Sequence, residues 1–176
     1  MTGAASYQGT GLPGWVTAPR DRPLAIAHRG ASAYAPDNTL MAFSLASDLG
    51  ADMWEVDIQL SRDGVPVVCH DAGLAAVAGR SGKTSDLYAA ELTELPTVSG
   101  EAIPLFRDVV DLALARGAAL YLDVKDIKAA DATLKCLADK RFDHAVFGTS
   151  DPAFCRELKT RGCDYPVSLL VGLGMD

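Results

Sequence analysis

The chain has 176 residues, of which 49% are hydrophobic, and a formal net charge of −7. That is enough to bury one sizeable core in a single domain, and it excludes the clustered Lys and Arg that nucleic acid or an anionic membrane surface would reward. An anionic substrate must therefore be attracted by local charge alone. Cys69, Cys136, Cys155 and Cys163 contain no C-x-x-C pair, so four reduced thiols are expected. No basic region followed by an apolar run opens the sequence, and Arg116 and Gly117 interrupt the longest apolar candidate, residues 109–122, short of the roughly 20 residues a membrane span needs. A soluble, cytoplasmic protein is the expectation.

Residues 1–22 are rich in Gly, Pro, Thr and Ser without a period, which predicts a flexible arm that lies across one end of the fold, with a domain of residues 23–176 following. LAIAH, ending at His28, reads as a short buried strand, and RGASAYAPDN as a loop. TLMAFSLASDL reads as a helix capped by Asp37 or Asn38 and stopped by Gly50, with Leu40, Phe43 and residues 45–49 as its buried face. MWEVDIQL predicts a second strand, Asp63-Gly64 a turn and VPVVCH a third strand. So short a link forbids a parallel crossover, and any barrel must be irregular there.

Between Asp71 and Pro104 the chain reads mostly as loop with one short helix, SDLYAAELTEL. Phe106, Val109, Val110 and Ala113 recur at i, i+3, i+4, i+7, which predicts a helix ended by Gly117. ALYLDVK is the next strand, followed by a helix over residues 131–140, a strand AVFGT, a helix capped by Ser150 or Asp151 with Pro152 in its first turn, and a strand PVSLLVG. Strand and helix alternate as in an α/β fold. The count is six strands, against the eight strands and about 250 residues of a complete (β/α)₈ barrel.

Five ionisable residues sit at the ends of these apolar runs: His28, Glu55, Asp57, His70 and Asp123. The carboxyl ends of parallel strands are where ligands bind, and charged groups there build sites rather than cores. Alternation places Glu55 and Asp57 on one face of their strand, with Val56 and Ile58 on the other. Two such anions repel unless a hard divalent cation, Mg²⁺ or Ca²⁺, lies between them; solvation at a sheet edge is the competing reading. Asp123 and Lys125 repeat the spacing, as a third ligand and a phosphate contact or as a plain ion pair. Two imidazoles with an ordinary pKa near 6.5 can accept one proton and donate another. His144, ahead of its strand, is expected to be structural. Cys69 and Trp54 should point away from the site, and Gly79 to Lys83 lacks the spacing of a phosphate-binding loop.

The succession His28-Arg29-Gly30, Pro36-Asp37-Asn38-Thr39, Glu55-Val56-Asp57, Asp63-Gly64, His70-Asp71, Ile103-Pro104-Leu105 and Asp123-Val124-Lys125 resembles the glycerophosphodiester phosphodiesterase family over residues 24–126. The resemblance implies an irregular TIM barrel, a divalent metal ion, Mg or Ca, and hydrolysis of a small phosphodiester substrate to an alcohol and glycerol 3-phosphate. It implies His28 and His70 as catalytic residues and Glu55, Asp57 and Asp123 as metal ligands. Arg29 and Lys125 then bind substrate, with Asp37 and Asn38 in support. The family usually carries Glu at the positions of Asp37 and Asp123; each arm here is shorter by about 1.5 Å, which predicts weaker metal binding. Sphingomyelinase D phospholipases resemble this arrangement in using Asp as third ligand.

The family's barrel continues beyond the strand that PVSLLVG resembles, so the barrel is expected to be incomplete at its C-terminus. Such a chain is a fragment, or closes its gap by homodimerisation or by the N-terminal arm. Two other functional readings compete: a catalytically weak barrel retained as a binding module, and a Schiff-base aldolase using Lys125.

Overall fold

The computed structural model describes residues 14–17, 19 and 21–170, so most of the expected arm lies outside the described residues. A single helical turn, α1 (Gly14–Thr17), precedes β1 (Ile26–His28), α2 (Leu40–Asp48), β2 (Met53–Leu60) and β3 (Pro66–Val68). A long excursion then carries α3 (Ala75–Ala78), a 3₁₀ turn at Thr84–Asp86 and α4 (Ala89–Thr93). Regular alternation follows: α5 (Phe106–Arg116), β4 (Ala119–Val124), α6 (Ile127–Lys140), β5 (Ala145–Thr149), α7 (Pro152–Thr160) and β6 (Val167–Leu169).

The strands form one sheet in the order β1-β2-β4-β5-β6, parallel throughout, with β3 antiparallel on β2. It curls as an open half-barrel, in keeping with the expected incomplete barrel. On β2, β4 covers one edge from Met53 to Ile58, which leaves the other edge to be shared by β1 at residues 53–55 and β3 at residues 58–60. The irregularity required by the short Asp63-Gly64 link is this shared edge.

Period-2 alternation divides each strand between two environments. Trp54, Val56, Ile58, Leu120, Leu122 and Phe147 face the helices and are fully buried against Phe43, Phe106, Val109, Val110, Leu137 and Leu158. Trp54 stacks on Phe43 with ring centroids 5.4 Å apart. Toward the barrel interior, Met53, Ala119 and Val146 form an apolar layer against which Trp15 and Tyr121 pack. Trp15 also meets the His144 ring edge-on at 5.3 Å, which gives that histidine the structural role expected of it at the amino end of β5. No helix among the described residues is long and apolar enough to cross a membrane.

Several local expectations need correction. Helix α2 is capped by Thr39, whose hydroxyl accepts the Ala42 N–H at 3.1 Å, because the side chains of Asp37 and Asn38 are engaged elsewhere. Its buried face is Ala42, Phe43 and Ala46, while Leu40 and Leu49 are exposed. Small residues let this helix lie close to the sheet. Helix α6 starts at Ile127, four residues before the expected 131, since the Asp126 carboxylate accepts the N–H groups of Lys128 and Ala129. The excursion holds three short helical pieces rather than one because Val67, Cys69, Leu74, Leu92, Ile103 and Leu105 give it a small core of its own.

Gly30 fixes the approach of the β1 loop to α2. It has φ +79°, and a Cβ there would lie 2.7 Å from the Ala42 carbonyl carbon. Both strain and overlap oppose a side chain, so Gly30→Ala is expected to cost on the order of 2–4 kcal/mol, read as a lower urea midpoint at unchanged m-value.

Candidate active site

β2 lies between β4 on one edge and β1 and β3 on the other, and beyond Met53 its inward residues are Glu55, Asp57 and Gln59. Register sets His28 of β1 beside Glu55, and Asp123 of β4 beside Asp57. Each of Glu55, Asp57 and Asp123 offers an oxygen within 4.8 Å of the others. Glu55 is 9% exposed and Asp57 1%. Burial, then the charge of Asp57 and more weakly that of Asp123, pushes the Glu55 carboxyl up to about 7 against the pull of the Arg29 N–H. An all-oxygen set of crowded anions fits a hard divalent cation.

Asp57 is the hub. Its Oδ1 lies 3.1 Å from Lys125 Nζ and its Oδ2 3.2 Å from Arg29 Nε. Asn38 Nδ2 donates to Oδ2 at 2.9 Å, while the Asp57 backbone N–H donates to Asn38 Oδ1 at 3.3 Å. The Asn38 amide thus fills the break between β1 and β3 on the edge of β2, replacing the ladder bond that neither strand supplies and fixing the carboxylate at the same time. The Cys69 N–H takes the Asp57 carbonyl at 3.1 Å.

Two left-handed residues hold this arrangement. Arg29 has φ +58° and Asn38 φ +57°. The Arg29 N–H donates to Glu55 Oε2 at 2.9 Å, and its carbonyl accepts the Asn38 N–H at 3.0 Å. Asp37 steadies the Arg29 guanidinium from outside at 3.3 Å. Non-glycine backbone in this region persists only where surrounding bonds over-determine it, and it clusters at functional sites.

The two histidines stand at the same end of the sheet. His28 Nε2 lies 4.0 Å from Glu55 Oε2. His70 follows β3; Gln59 Nε2 holds its carbonyl at 2.9 Å, and its Nδ1 pairs with Asp71 Oδ1 at 2.9 Å. Cys69 turns away into the small core, where burial raises its thiol to about 11. Lys125 bridges Asp123 and Asp57. Burial works to lower its pKa, but hydrogen bonding and charge from these two carboxylates outweigh it and hold the ammonium above its ordinary value. A Schiff-base lysine needs the opposite shift, which removes support for the aldolase reading.

Two inward residues escaped the sequence reading. Gln59 is the third member of the pattern Glu55-x-Asp57-x-Gln59, and strand alternation alone could have found it. Tyr121 leans across Gly148, where a Cβ would lie 2.3 Å from the ring; nothing in the sequence marks that close approach.

The model of the glycerophosphoryl diester phosphodiesterase family matches residues 28–172. Glycerophosphodiester phosphodiesterase 1 of Rattus norvegicus is 38% identical over 119 residues, covering 62% of this chain and 36% of the rat protein. The glycerophosphodiester phosphodiesterase of Caldanaerobacter subterraneus is 28% identical over 172 residues, covering 88% of this chain and 69% of its own. This chain thus spans little more than a third of the mammalian relative. Among solved structures, the Thermotoga maritima glycerophosphodiester phosphodiesterase superposes with TM-score 0.75 at 30% identity, covering 89% of this chain and 65% of that one. An Oleispira antarctica phosphodiesterase in complex with the product sn-glycerol-3-phosphate gives TM-score 0.75 at 26% identity, with 85% and 66% covered. With a model match running from His28 almost to the end of the chain, on a half-barrel where Glu55, Asp57 and Asp123 meet His28, Arg29 and Lys125 at the carboxyl end of the sheet, this protein belongs to the glycerophosphoryl diester phosphodiesterase family.

Proposed function

We propose that the chain hydrolyses glycerophosphodiesters to an alcohol and glycerol 3-phosphate, with Glu55, Asp57 and Asp123 holding a divalent cation, Mg²⁺ or Ca²⁺. The observation that carries this reading is the convergence of those three carboxylates within 4.8 Å, with His28 level with Glu55 in the strand register. A divalent ion bound there supplies Lewis-acid polarisation of a phosphoryl oxygen. The protein's own groups do the rest.

Arg29 and Lys125 set fixed positive charge where the phosphoryl oxygens gain negative charge. Of His28 and His70, one accepts the proton of the attacking oxygen, from water or from a neighbouring substrate hydroxyl. The other donates a proton to the departing alkoxide as the P–O bond breaks. Asp71 orients the His70 ring, Gln59 anchors its backbone, and Asp37 steadies Arg29. Asn38 fixes the Asp57 carboxylate. A binding module retaining this geometry without turnover is the second reading, favoured by the shortened arms of Asp37 and Asp123.

Incubation of the purified chain with glycerophosphocholine, with Mg²⁺, Ca²⁺ or EDTA, separates the two. Metal-dependent release of glycerol 3-phosphate supports the enzyme; no turnover at any metal concentration leaves the binding module. In the enzyme, His28→Ala and His70→Ala are each expected to lower kcat by about 10²–10⁴-fold.

Asn38→Ala removes both bonds to Asp57. It is expected to weaken Mg²⁺ or Ca²⁺ binding by about 10–100-fold in calorimetric titration, where an unchanged dissociation constant would deny Asn38 this role.

The Glu55 carboxyl gives a pH dependence with a definite sign. Its folded pKa of about 7 stands above the ordinary 4.5, so between those values the folded state holds a proton that the unfolded state has released. In EDTA, stability is therefore expected to fall as pH rises through that window, by on the order of 2 kcal/mol. Urea midpoints at the two ends of the window check this, and Glu55→Gln should flatten the difference.

A further inference from the structure

A cavity of about 190 Å³ opens beside His70, bounded by the loop ahead of α2, the end of β3 and the segment from Val98 to Ile103. Arg29, Asn38 and His70 belong both to its wall and to the carboxylate site. A phosphodiester whose phosphorus lies at Asp57 and Asp123 therefore has one of its two arms within reach of this cavity.

The lining has two characters. Val77, Val98 and Ile103 supply methyl surface, and no Trp, Tyr or Phe among the described residues takes part. Three carboxylates stand among them: Asp37, Asp71 and Glu101. Asp37 is paired with Arg29 at 3.3 Å and Asp71 with His70 at 2.9 Å. The Glu101 side chain has no hydrogen bond or ion pair among the described residues. Its backbone is nonetheless held in place: the Thr97 hydroxyl donates to its carbonyl at 2.6 Å, its N–H donates to Ser99 Oγ at 3.3 Å, and the Val98 N–H donates to the Val77 carbonyl at 2.9 Å. The cavity wall thus includes one carboxylate without a partner among the described residues, its backbone held by its loop, beside the exposed Val98, the half-buried Val77 and the buried Ile103.

We propose that this cavity receives the alcohol arm of the diester and selects alcohols that carry an ammonium or quaternary ammonium group. The inference rests on the phosphodiesterase reading and adds to it the class of alcohol. Methylene and methyl groups of such an alcohol pack on Val77, Val98 and Ile103 while its charge faces Glu101. A neutral polyol gains only the packing, and an anionic alcohol meets repulsion. Without an aromatic wall there is no cation–π contribution, so the discrimination is Coulombic and weakens with salt.

The test is kcat/KM of the metal-loaded protein for glycerophosphocholine, glycerophosphoethanolamine and glycerophosphoglycerol, at low and high salt, in wild type and Glu101→Gln. The expected result is a preference for the two cationic substrates that shrinks as salt rises. Glu101→Gln should cut the ratio of cationic to neutral kcat/KM by about two- to fivefold, the size of one partly exposed charge pair. Equal wild-type values for all three substrates, or a salt-insensitive ratio, overturn the proposal without Glu101→Gln having to fold. Loss of all three activities in equal proportion in Glu101→Gln also overturns it, since that is what a structural role produces. Turnover without discrimination leaves the phosphodiesterase reading intact, whereas no turnover of any substrate by wild type overturns both.

Discussion

Crowding three carboxylates into one corner of a sheet is the constraint on which the rest of this structure depends. Left alone, Glu55, Asp57 and Asp123 would repel one another, and the Glu55 pKa is raised first by burial and then by the charge of Asp57. The fold answers with Lys125, which bridges Asp57 and Asp123, and with the Arg29 side chain, the Arg29 N–H and the Asn38 amide, each directed at one of the three. Buried charge of this kind stabilises little by itself, and its worth is that it fixes geometry.

The shared edge of β2 explains how the chain delivers those partners. Because β1 ends opposite Glu55 and β3 ends opposite Ile58, the stretch between has no strand to pair with on that edge. A regular barrel would close that gap with backbone and leave no opening for a side chain. Here Asn38 enters from the loop after β1, and the Arg29 and Asn38 backbones accept left-handed conformations to bring it in. Strain in the loop, the break in the ladder and the orientation of Asp57 are one structural fact seen from three sides.

Stability and chemistry are drawn from different parts of the molecule. The helix-facing side of the sheet is largely apolar and carries the main core, and the amino end of the interior is apolar too, with Met53, Ala119 and Val146 packed against Trp15. Only the carboxyl end is polar. The excursion between β3 and α5 adds a small core beside that end, so the walls around His70 rest on packed residues rather than on free loop.

The strands, the main helices and the α/β class were legible in the sequence because period-2 and period-3.6 burial are local properties of the chain, whereas the incomplete barrel was implied by the family resemblance. The facing of Glu55 with Asp57, and of Asp123 with Lys125, followed from the same alternation. What alternation cannot supply is register between strands: that Asp57 lies level with Asp123, and His28 with Glu55, is decided by how distant segments pair. The cap of α2 was misread for a related reason, since Asp37 and Asn38 are good caps in isolation but are claimed by Arg29 and Asp57 from elsewhere in the chain. Sequence by itself thus determined which residues could carry charge into the site. Tertiary structure alone decided which of them touch, because a contact between side chains far apart in the chain is set by sheet pairing and backbone strain rather than by the preferences of either residue.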